Sequence, residues 1–355
     1  MSTESLPSLR WGIIGTGLIA SWFVGDLQKN RPDRKADHII AAVGASSLEK
    51  AKTFAEAKCP GKNPTTYGSY QEVYNDPNVD IIYIATPHAF HKESALAAMD
   101  AGKAVLCEKP MTINAKDAKD LAAKAKEKNV FLMEAVWTRF SPLVLKLEDL
   151  VHKEKAIGDV SRIFVDFGLD MNLGALPETS RLKNRDLGAG ALLDIGIYTL
   201  TYGKILLDTG LGKNSKKPNV VSMQSLVGGI DYISTVILQY PETGAQAILT
   251  SSVYYKTAPE FLRIEGSLGT ITVSGVATSS PKVIKITYKD AEKKDEVLEY
   301  PRDGFGFWYE ADAVAVDIAA GKKEDDRMPL DETIYMLELM DSIRKTGGVV
   351  YPQDA

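Results

Sequence analysis

Five apolar runs recur through the first third of the chain, and none of them alternates. They are "LRWGIIG", "HIIAAVGA", "VDIIYIATP", "KAVLCEKP" and "VFLMEAV". Apolar runs without period-2 alternation read as strands covered on both faces. The segments between them, "LIASWFVGDLQKN", "SLEKAKTFAEAK", "HKESALAAMDAG" and "AKDAKDLAAKAKEKN", read as helices. Strands separated by helices imply right-handed crossovers and a parallel sheet. Residues 1–137 are therefore expected to form a doubly wound α/β domain.

The pattern changes after Trp137. A helix is expected after Pro142, then a strand at "DVSRIFVDFGL" and a glycine-rich helix at "GAGALLDIGIYTLTYGKILL". From Asn219 the strands follow one another: "VVSMQSLVGG", "YISTVILQYP", "AQAILTSSVYY", "EFLRIEGSLGTITVSG" and "KVIKITYK". Turn residues separate them and no helix intervenes, which predicts an antiparallel sheet. Two helices, at 307–320 and 331–345, close the chain. Residues 138–355 are thus expected to be an α+β domain with an open, mainly antiparallel sheet. No repeat and no flexible linker marks the boundary.

A length of 355 residues fits two domains. With 42 basic and 47 acidic side chains the formal net charge is −5, and the basic residues do not cluster. That argues against nucleic acid or an anionic membrane as partner. Cys59 and Cys107 have no disulfide or metal spacing and fit a reducing compartment. "MSTESLPSLR" lacks the basic and apolar segments of a secretory signal. No unbroken apolar run reaches the ~18 residues of a membrane span. A cytoplasmic location is expected.

Gly15-Thr16-Gly17-Leu18-Ile19-Ala20 matches GxGxxG/A between the first strand and the first helix. The first glycine permits the tight turn, and the second lets the backbone approach a pyrophosphate. The third position needs only a small residue. The following helix offers free N–H groups to the phosphates. A dinucleotide is expected here. The second strand ends Val43-Gly44-Ala45-Ser46-Ser47, without the acid that bonds a ribose 2′-hydroxyl. Ser46, Ser47 and Lys50 instead supply hydroxyls and a positive charge, which favours NADP. Ser46 or Ser47 also serves as a cap for the next helix.

Lys109 follows the fourth apolar run, and strand ends in such sheets face the ligand. Beside low-dielectric walls a lysine becomes usable in proton chemistry. Glu108 and Pro110 are expected to fix its orientation and charge environment. In "LLDIGIYTL", Asp194 and Tyr198 lie four apart, on one face of a helix. A tyrosine acting with Lys109 can serve as general acid/base, and Asp194 can accept from a sugar hydroxyl. A structurally satisfied buried tyrosine is the alternative. His88 and His91 in "TPHAFH" lack a supporting acid or thiol cluster, so no metal is expected. They are read as contacting the cofactor or capping the next helix.

"GIIGTGLIA", "ATPHAFHKESALAAMDAGKAVLCEKPMT", "LMEAVWTRF" and "LLDIGIYTL" together resemble the glucose–fructose oxidoreductase/inositol dehydrogenase (Gfo/Idh/MocA) family. Within it the chain looks like the dimeric dihydrodiol dehydrogenases and the fungal NADP-dependent D-xylose dehydrogenases. The resemblance covers nearly the whole chain, including "EGSLGTITV" and "YEADAVAVDIAAGK". It implies a Rossmann domain followed by an α+β domain whose open sheet is a substrate wall on one side and a homodimer interface on the other. It implies Lys109 as the catalytic lysine, before a cis proline, with Asp194 and Tyr198 completing the set. Thr86, Pro87, His88, His91, Glu108, Lys109, Trp137 and Arg139 are the implied further cofactor residues. Glu134, Trp137 and Phe140, with Lys109, Asp194 and Tyr198, are the implied substrate residues. Trp137 is read equally as a stacking platform or a core residue. Many relatives carry histidine where this chain has Tyr198, which moves proton transfer to a tyrosine–lysine pair. The expected reaction is NADP-dependent oxidation of an aldopyranose at C1, D-xylose first, to the lactone. Oxidation of an aromatic trans-dihydrodiol is the rival. A sugar–sugar hydride shuttle and a non-catalytic NADP/sugar sensor are further alternatives.

Overall fold

The computed structural model describes residues 6–355, so the first five residues of the stretch read for a secretory signal lie outside it. The described residues form two compact units. One comprises 6–112, 116–137 and 303–333; the other comprises 113–115, 138–302 and 334–355.

The first unit is built on a six-stranded sheet of β1 (Ser8–Ile14), β2 (Asp37–Gly44), β3 (Thr65–Tyr67), β4 (Ile81–Ile84), β5 (Ala104–Glu108) and β6 (Leu132–Ala135). Its order is β3-β2-β1-β4-β5-β6. β1 pairs in parallel with both β2 and β4, and every other pair in this sheet is also parallel. The central strands are buried on both faces, as continuous apolar runs require: Ile81, Ile82, Tyr83 and Ile84 are all fully buried. The crossovers carry α1 (Leu18–Leu27), α2 (Leu48–Lys58), α3 (Tyr70–Tyr74), α4 (His91–Asp100) and α5 (Ala115–Lys128). β3 and α3 were not anticipated, since three and five residues are too few to display a period.

A single cut at residue 137 does not describe how the chain uses this unit, because the helix Trp308–Ala319 belongs to it. Polar pairing explains the return. Asp312 accepts from Arg31 Nη2 at 2.9 and 3.1 Å and meets His38 Nε2 at 2.9 Å. Asp26 Oδ2 accepts the backbone N–H groups of Phe305, Gly306 and Phe307 at 2.7–3.1 Å. A buried carboxylate gathering three amides fixes a loop that has no regular structure of its own.

The second unit contains α6 (Pro142–Glu148), β7 (Val160–Gly168), α7 (Ile197–Leu207) and a run of seven strands. These are β8 (Asn219–Val227), β9 (Ile230–Gln239), β10 (Gln246–Ser252), β11 (Glu260–Gly266), β12 (Gly269–Ala277), β13 (Ser280–Tyr288) and β14 (Glu296–Glu299). The sheet order is β14-β13-β12-β11-β7-β10-β9-β8. The β7–β10 pair is parallel and the rest are antiparallel, so the sheet is mixed but mainly antiparallel. "EFLRIEGSLGTITVSG" resolves into the β11–β12 hairpin, and β14 was not anticipated.

α7 packs on β7 and β10. Ile163, Val165 and Phe167 are buried, and strand alternation puts Arg162, Phe164 and Asp166 on the opposite face. The helical stretch Arg185–Leu207 is long and apolar enough to cross a bilayer by length and composition, yet 94% of its apolar 18-residue window is buried. Asp194 and Lys204 interrupt its apolar sequence.

Candidate active site

β1 ends at Ile14 and the chain turns at once. Gly15 takes φ +87°, the left-handed region that only glycine enters freely. A Cβ there would also lie 2.7 Å from the Ala85 carbonyl oxygen. Gly15 N–H donates to Gly44 O at 3.2 Å, and Ala85 N–H to Ile14 O at 3.0 Å. The turn therefore sits where β1 and β4 part, the point at which open α/β sheets bind ligands. α1 has Gly17 at its N-cap, with no side-chain cap and no acid in its first turn. Thr16 and Ile19 are half-buried and Leu18 is exposed. A Cβ on Gly17 would meet nothing within 4 Å. Open space over an uncapped helix N-terminus fits a pyrophosphate.

At the end of β2 the two serines divide the work. Ser47 Oγ accepts from Lys50 N–H at 3.3 Å and caps α2. Ser46 Oγ accepts from Lys50 Nζ at 3.0 Å, and both groups are exposed. The acid of the first turn is Glu49, the second residue of α2 and two positions beyond the strand-end loop. A hydroxyl beside an ammonium suits a 2′-phosphate better than a 2′-hydroxyl.

The Lys109 loop is braced from three sides. Glu108, buried, accepts from the Tyr83 hydroxyl at 2.5 Å through Oε1 and from Lys109 N–H at 3.2 Å through Oε2. Glu134 Oε1 accepts from Met111 N–H at 2.8 Å. His91 meets the Pro110 carbonyl through Nδ1 at 2.9 Å and the Thr86 carbonyl through Nε2 at 2.8 Å. The Lys109–Pro110 bond is cis. Lys109 itself is half-buried. His91 and Glu134 are at most 1% exposed. Through these bonds they brace the β4 and β5 loops. Thr86 and His88 are also buried, and the His88 ring lies 5.7 Å from that of His91. Pro87 is half-buried and leads directly into His88.

Behind this loop runs a row of rings within the same unit. Trp137 lies 4.6 Å from Phe307, Phe307 lies 6.1 Å from Phe23, and Phe23 stacks on Tyr83 at 3.7 Å. Trp137 is 6% exposed and packs against Phe307 within this unit. Glu310 was missed by sequence reasoning. It is fully buried, and among the described residues neither carboxylate oxygen has a hydrogen-bond partner. Burial, and then the charge of Glu108, hold its carboxyl well above the usual range. Tyr83 was missed too, although a phenol inside "IIYI" was the available signal.

The second unit holds Arg139, Phe140, Asp194 and Tyr198, all of them buried. Leu192–Gly196 is a π-turn that runs into α7, where an unbroken α-helix was expected. The wider turn is a feature that recurs at functional sites. Arg181 Nη1 comes within 3.6 Å of Asp194 Oδ2, a partner sequence reasoning did not single out. The Tyr198 ring meets Phe167 edge-on at 5.6 Å. Among the described residues no cluster of His, Cys, Asp or Glu is arranged to hold a metal.

Residues 9–136 match the oxidoreductase family with an NAD-binding Rossmann fold, and residues 144–272 match the GFO/IDH/MocA C-terminal domain. The chain is similar to the D-xylose 1-dehydrogenase (NADP(+)) of Hypocrea jecorina, with 36% identity covering 99% of this chain and 95% of that protein. It is also similar to the trans-1,2-dihydrobenzene-1,2-diol dehydrogenase of Xenopus laevis, with 34% identity over 97% of this chain and 99% of that one. Among solved structures, a 3-ketoreductase from Actinomadura kijaniata in complex with NADP superposes with a TM-score of 0.80. It covers 96% of this chain and 98% of its own at 23% identity, a likeness of fold.

Proposed function

The chain belongs to the Gfo/Idh/MocA oxidoreductase family, and from that premise we propose what it oxidises and how. It is an NADP-dependent dehydrogenase acting on CH–OH groups of a sugar or diol. The proposed substrate is an aldopyranose, D-xylose first, oxidised at C1 to the aldonolactone. The observation that carries this choice is the resemblance to the fungal xylose enzyme along almost the full chain.

Bound NADP supplies the hydride acceptor. The first turn of α1 and the Gly15 turn would hold its pyrophosphate, and Ser46 with Lys50 would meet its 2′-phosphate. Tyr198 takes the proton of the C1 hydroxyl as the C1–H bond yields its electron pair. Lys109 supplies the positive charge that makes this transfer favourable. Asp194 orients the sugar by accepting from a neighbouring hydroxyl, with the Arg181 guanidinium 3.6 Å from its Oδ2. The second reading, oxidation of an aromatic trans-dihydrodiol, draws on the dihydrodiol dehydrogenases among the relatives and uses the same residues. We further propose a homodimer through the open face of the eight-stranded sheet. A cytoplasmic location is proposed with it, supported by the free, buried thiols of Cys59 and Cys107.

Initial rates of NADP+ reduction with D-xylose and with trans-dihydrobenzenediol decide between the substrates. The expected outcome is faster turnover of xylose at equal concentration. Lys109→Met and Tyr198→Phe should each lower kcat by about 10²–10⁴-fold. Wild-type rates in both variants would remove the acid/base assignment.

A further inference from the structure

The helix that carries Asp194 and Tyr198 is anchored by residues distant in sequence and outside every motif discussed so far. Asp231, fully buried at the start of β9, accepts from Leu192 N–H through Oδ2 at 2.7 Å. The same oxygen accepts from Ser234 Oγ at 2.7 Å, and Ser234 Oγ accepts from Gln224 Nε2 at 2.9 Å. Leu192 opens the π-turn. Its N–H is one of the first amides of the helix, which have no partner inside the helix itself. A carboxylate at that end also faces the positive pole of the helix dipole. Asp231 is therefore a helix cap delivered from a neighbouring strand.

The C-terminal tail completes the anchor. Tyr351, 1% exposed, donates its hydroxyl to the Ala189 carbonyl at 2.6 Å. Gly190, between the Ala189 carbonyl and the helix, takes φ +146°. A Cβ on Gly190 would lie 2.4 Å from Asp231 Oδ1 and 2.7 Å from the Tyr351 hydroxyl oxygen. The two side chains thus close on the same α-carbon. The Gly190 carbonyl in turn accepts from Asp194 N–H at 3.1 Å. The tail is itself held in place. Asp354 accepts from Tyr351 N–H at 2.8 Å and from both Arg344 Nη atoms at 2.7 and 3.1 Å. Arg344 also donates to Asp341 at 2.6 Å.

Placing a carboxylate here is costly. Burial pushes the Asp231 carboxyl up to about 6, against the hydrogen bonds from Ser234 and Leu192, and among the described residues Oδ1 has no hydrogen-bond partner. Helix stability alone does not require this. A serine or asparagine cap at the helix itself would serve without a buried charge. What the strand-borne cap adds is position. It ties the first turn of the helix, and so Asp194, to the sheet and to the tail.

We propose that Asp231 and Tyr351 are positioning residues for the oxidation, setting where the Asp194–Tyr198 helix begins without touching substrate. This rests on the reading of Asp194 and Tyr198 as part of the site.

The test uses the full-length enzyme with NADP+ and whichever of D-xylose or trans-dihydrobenzenediol it turns over. Misplacement by a fraction of an ångström should reduce kcat of Asp231→Ala by about 10–100-fold. NADP+ affinity, measured separately by titration of intrinsic fluorescence, should stay within about twofold, since the nucleotide turn belongs to the other unit. Asp231→Asn keeps an acceptor for Leu192 N–H and should recover kcat to within about threefold of wild type. Tyr351→Phe should lower kcat by about 3–10-fold, and it carries the test should Asp231→Ala fail to fold. Wild-type kcat in soluble Asp231→Ala or in Tyr351→Phe overturns the inference. So does parallel loss of kcat and NADP+ affinity that Asp231→Asn does not reverse. Tyr198→Phe runs alongside. If it is inactive while the anchor variants are unaffected, the anchor alone is wrong. If it is fully active, the site reading fails and the inference with it.

Discussion

Individual side chains here are strongly shaped by neighbours remote in sequence. Asp231 is the clearest case, with a carboxyl raised to about 6 from an ordinary value of 3.8, first by burial. The sign of the consequence follows from proton uptake. Between about pH 4 and 6 the folded chain binds a proton at Asp231 that the unfolded chain has released. This group therefore favours folding at low pH, and the advantage is lost as pH rises through 6. Relative to Asp231→Asn, wild-type protein should gain about 1 kcal/mol on moving from pH 8 to pH 5. Urea unfolding midpoints of both proteins at the two pH values measure it. A difference that does not change with pH would place the titration elsewhere. Lys109 tells the complementary story. Its position after a strand was visible in "LCEKP", but the hydroxyl of Tyr83, the Glu134 carboxylate and the His91 ring that fix its loop come from three other segments.

Elements were readable where an apolar run or a helical stretch was clear. The five apolar strands and four flanking helices of the first unit follow from their unbroken apolar runs and the segments between them, while β3 and α3 are too short to display a period, and β14, as long as β4 and β6, is mostly exposed and carries no apolar run. The π-turn at Leu192–Gly196 escaped for a different reason. Its residues have ordinary helical spacing, and what widens the turn is set by packing. The junction of β2 and α2 was better determined locally, because capping and charge act within four residues. There Ser47 caps and Ser46 pairs with Lys50. Lys50→Glu should leave the cap in place and place a negative charge where the 2′-phosphate would bind. NADP+ affinity should fall by at least about tenfold while NAD+ affinity changes little. Titration of both nucleotides checks this, and an equal loss for both would move the 2′-phosphate contact away from Lys50.

At the scale of the whole molecule the chain makes two units and returns to the first after building most of the second. The open face of the larger sheet carries Phe164 between two guanidinium groups, Arg162 at 4.8 Å and Arg263 at 4.5 Å. If that face joins two copies, Phe164→Asp should convert a two-chain mass to a one-chain mass in sedimentation, with NADP+ affinity unchanged. A one-chain mass in the wild type would end the homodimer proposal. The amino-acid sequence by itself determined the parallel sheet of the first unit, the antiparallel run of the second, the nucleotide turn at Gly15 and the family. Each of these is written in spacing over a few residues, where helix and strand periods and glycine's backbone freedom act. Tertiary structure alone decided that Asp312 brings a late helix back to Arg31 and His38. It alone decided that Glu310 is a buried acid beside the charge of Glu108, and that Asp231 and Tyr351 close on Gly190. Those outcomes depend on burial and on hydrogen bonds between segments 39 to 281 residues apart, and no local pattern encodes which distant partner a buried charge will find.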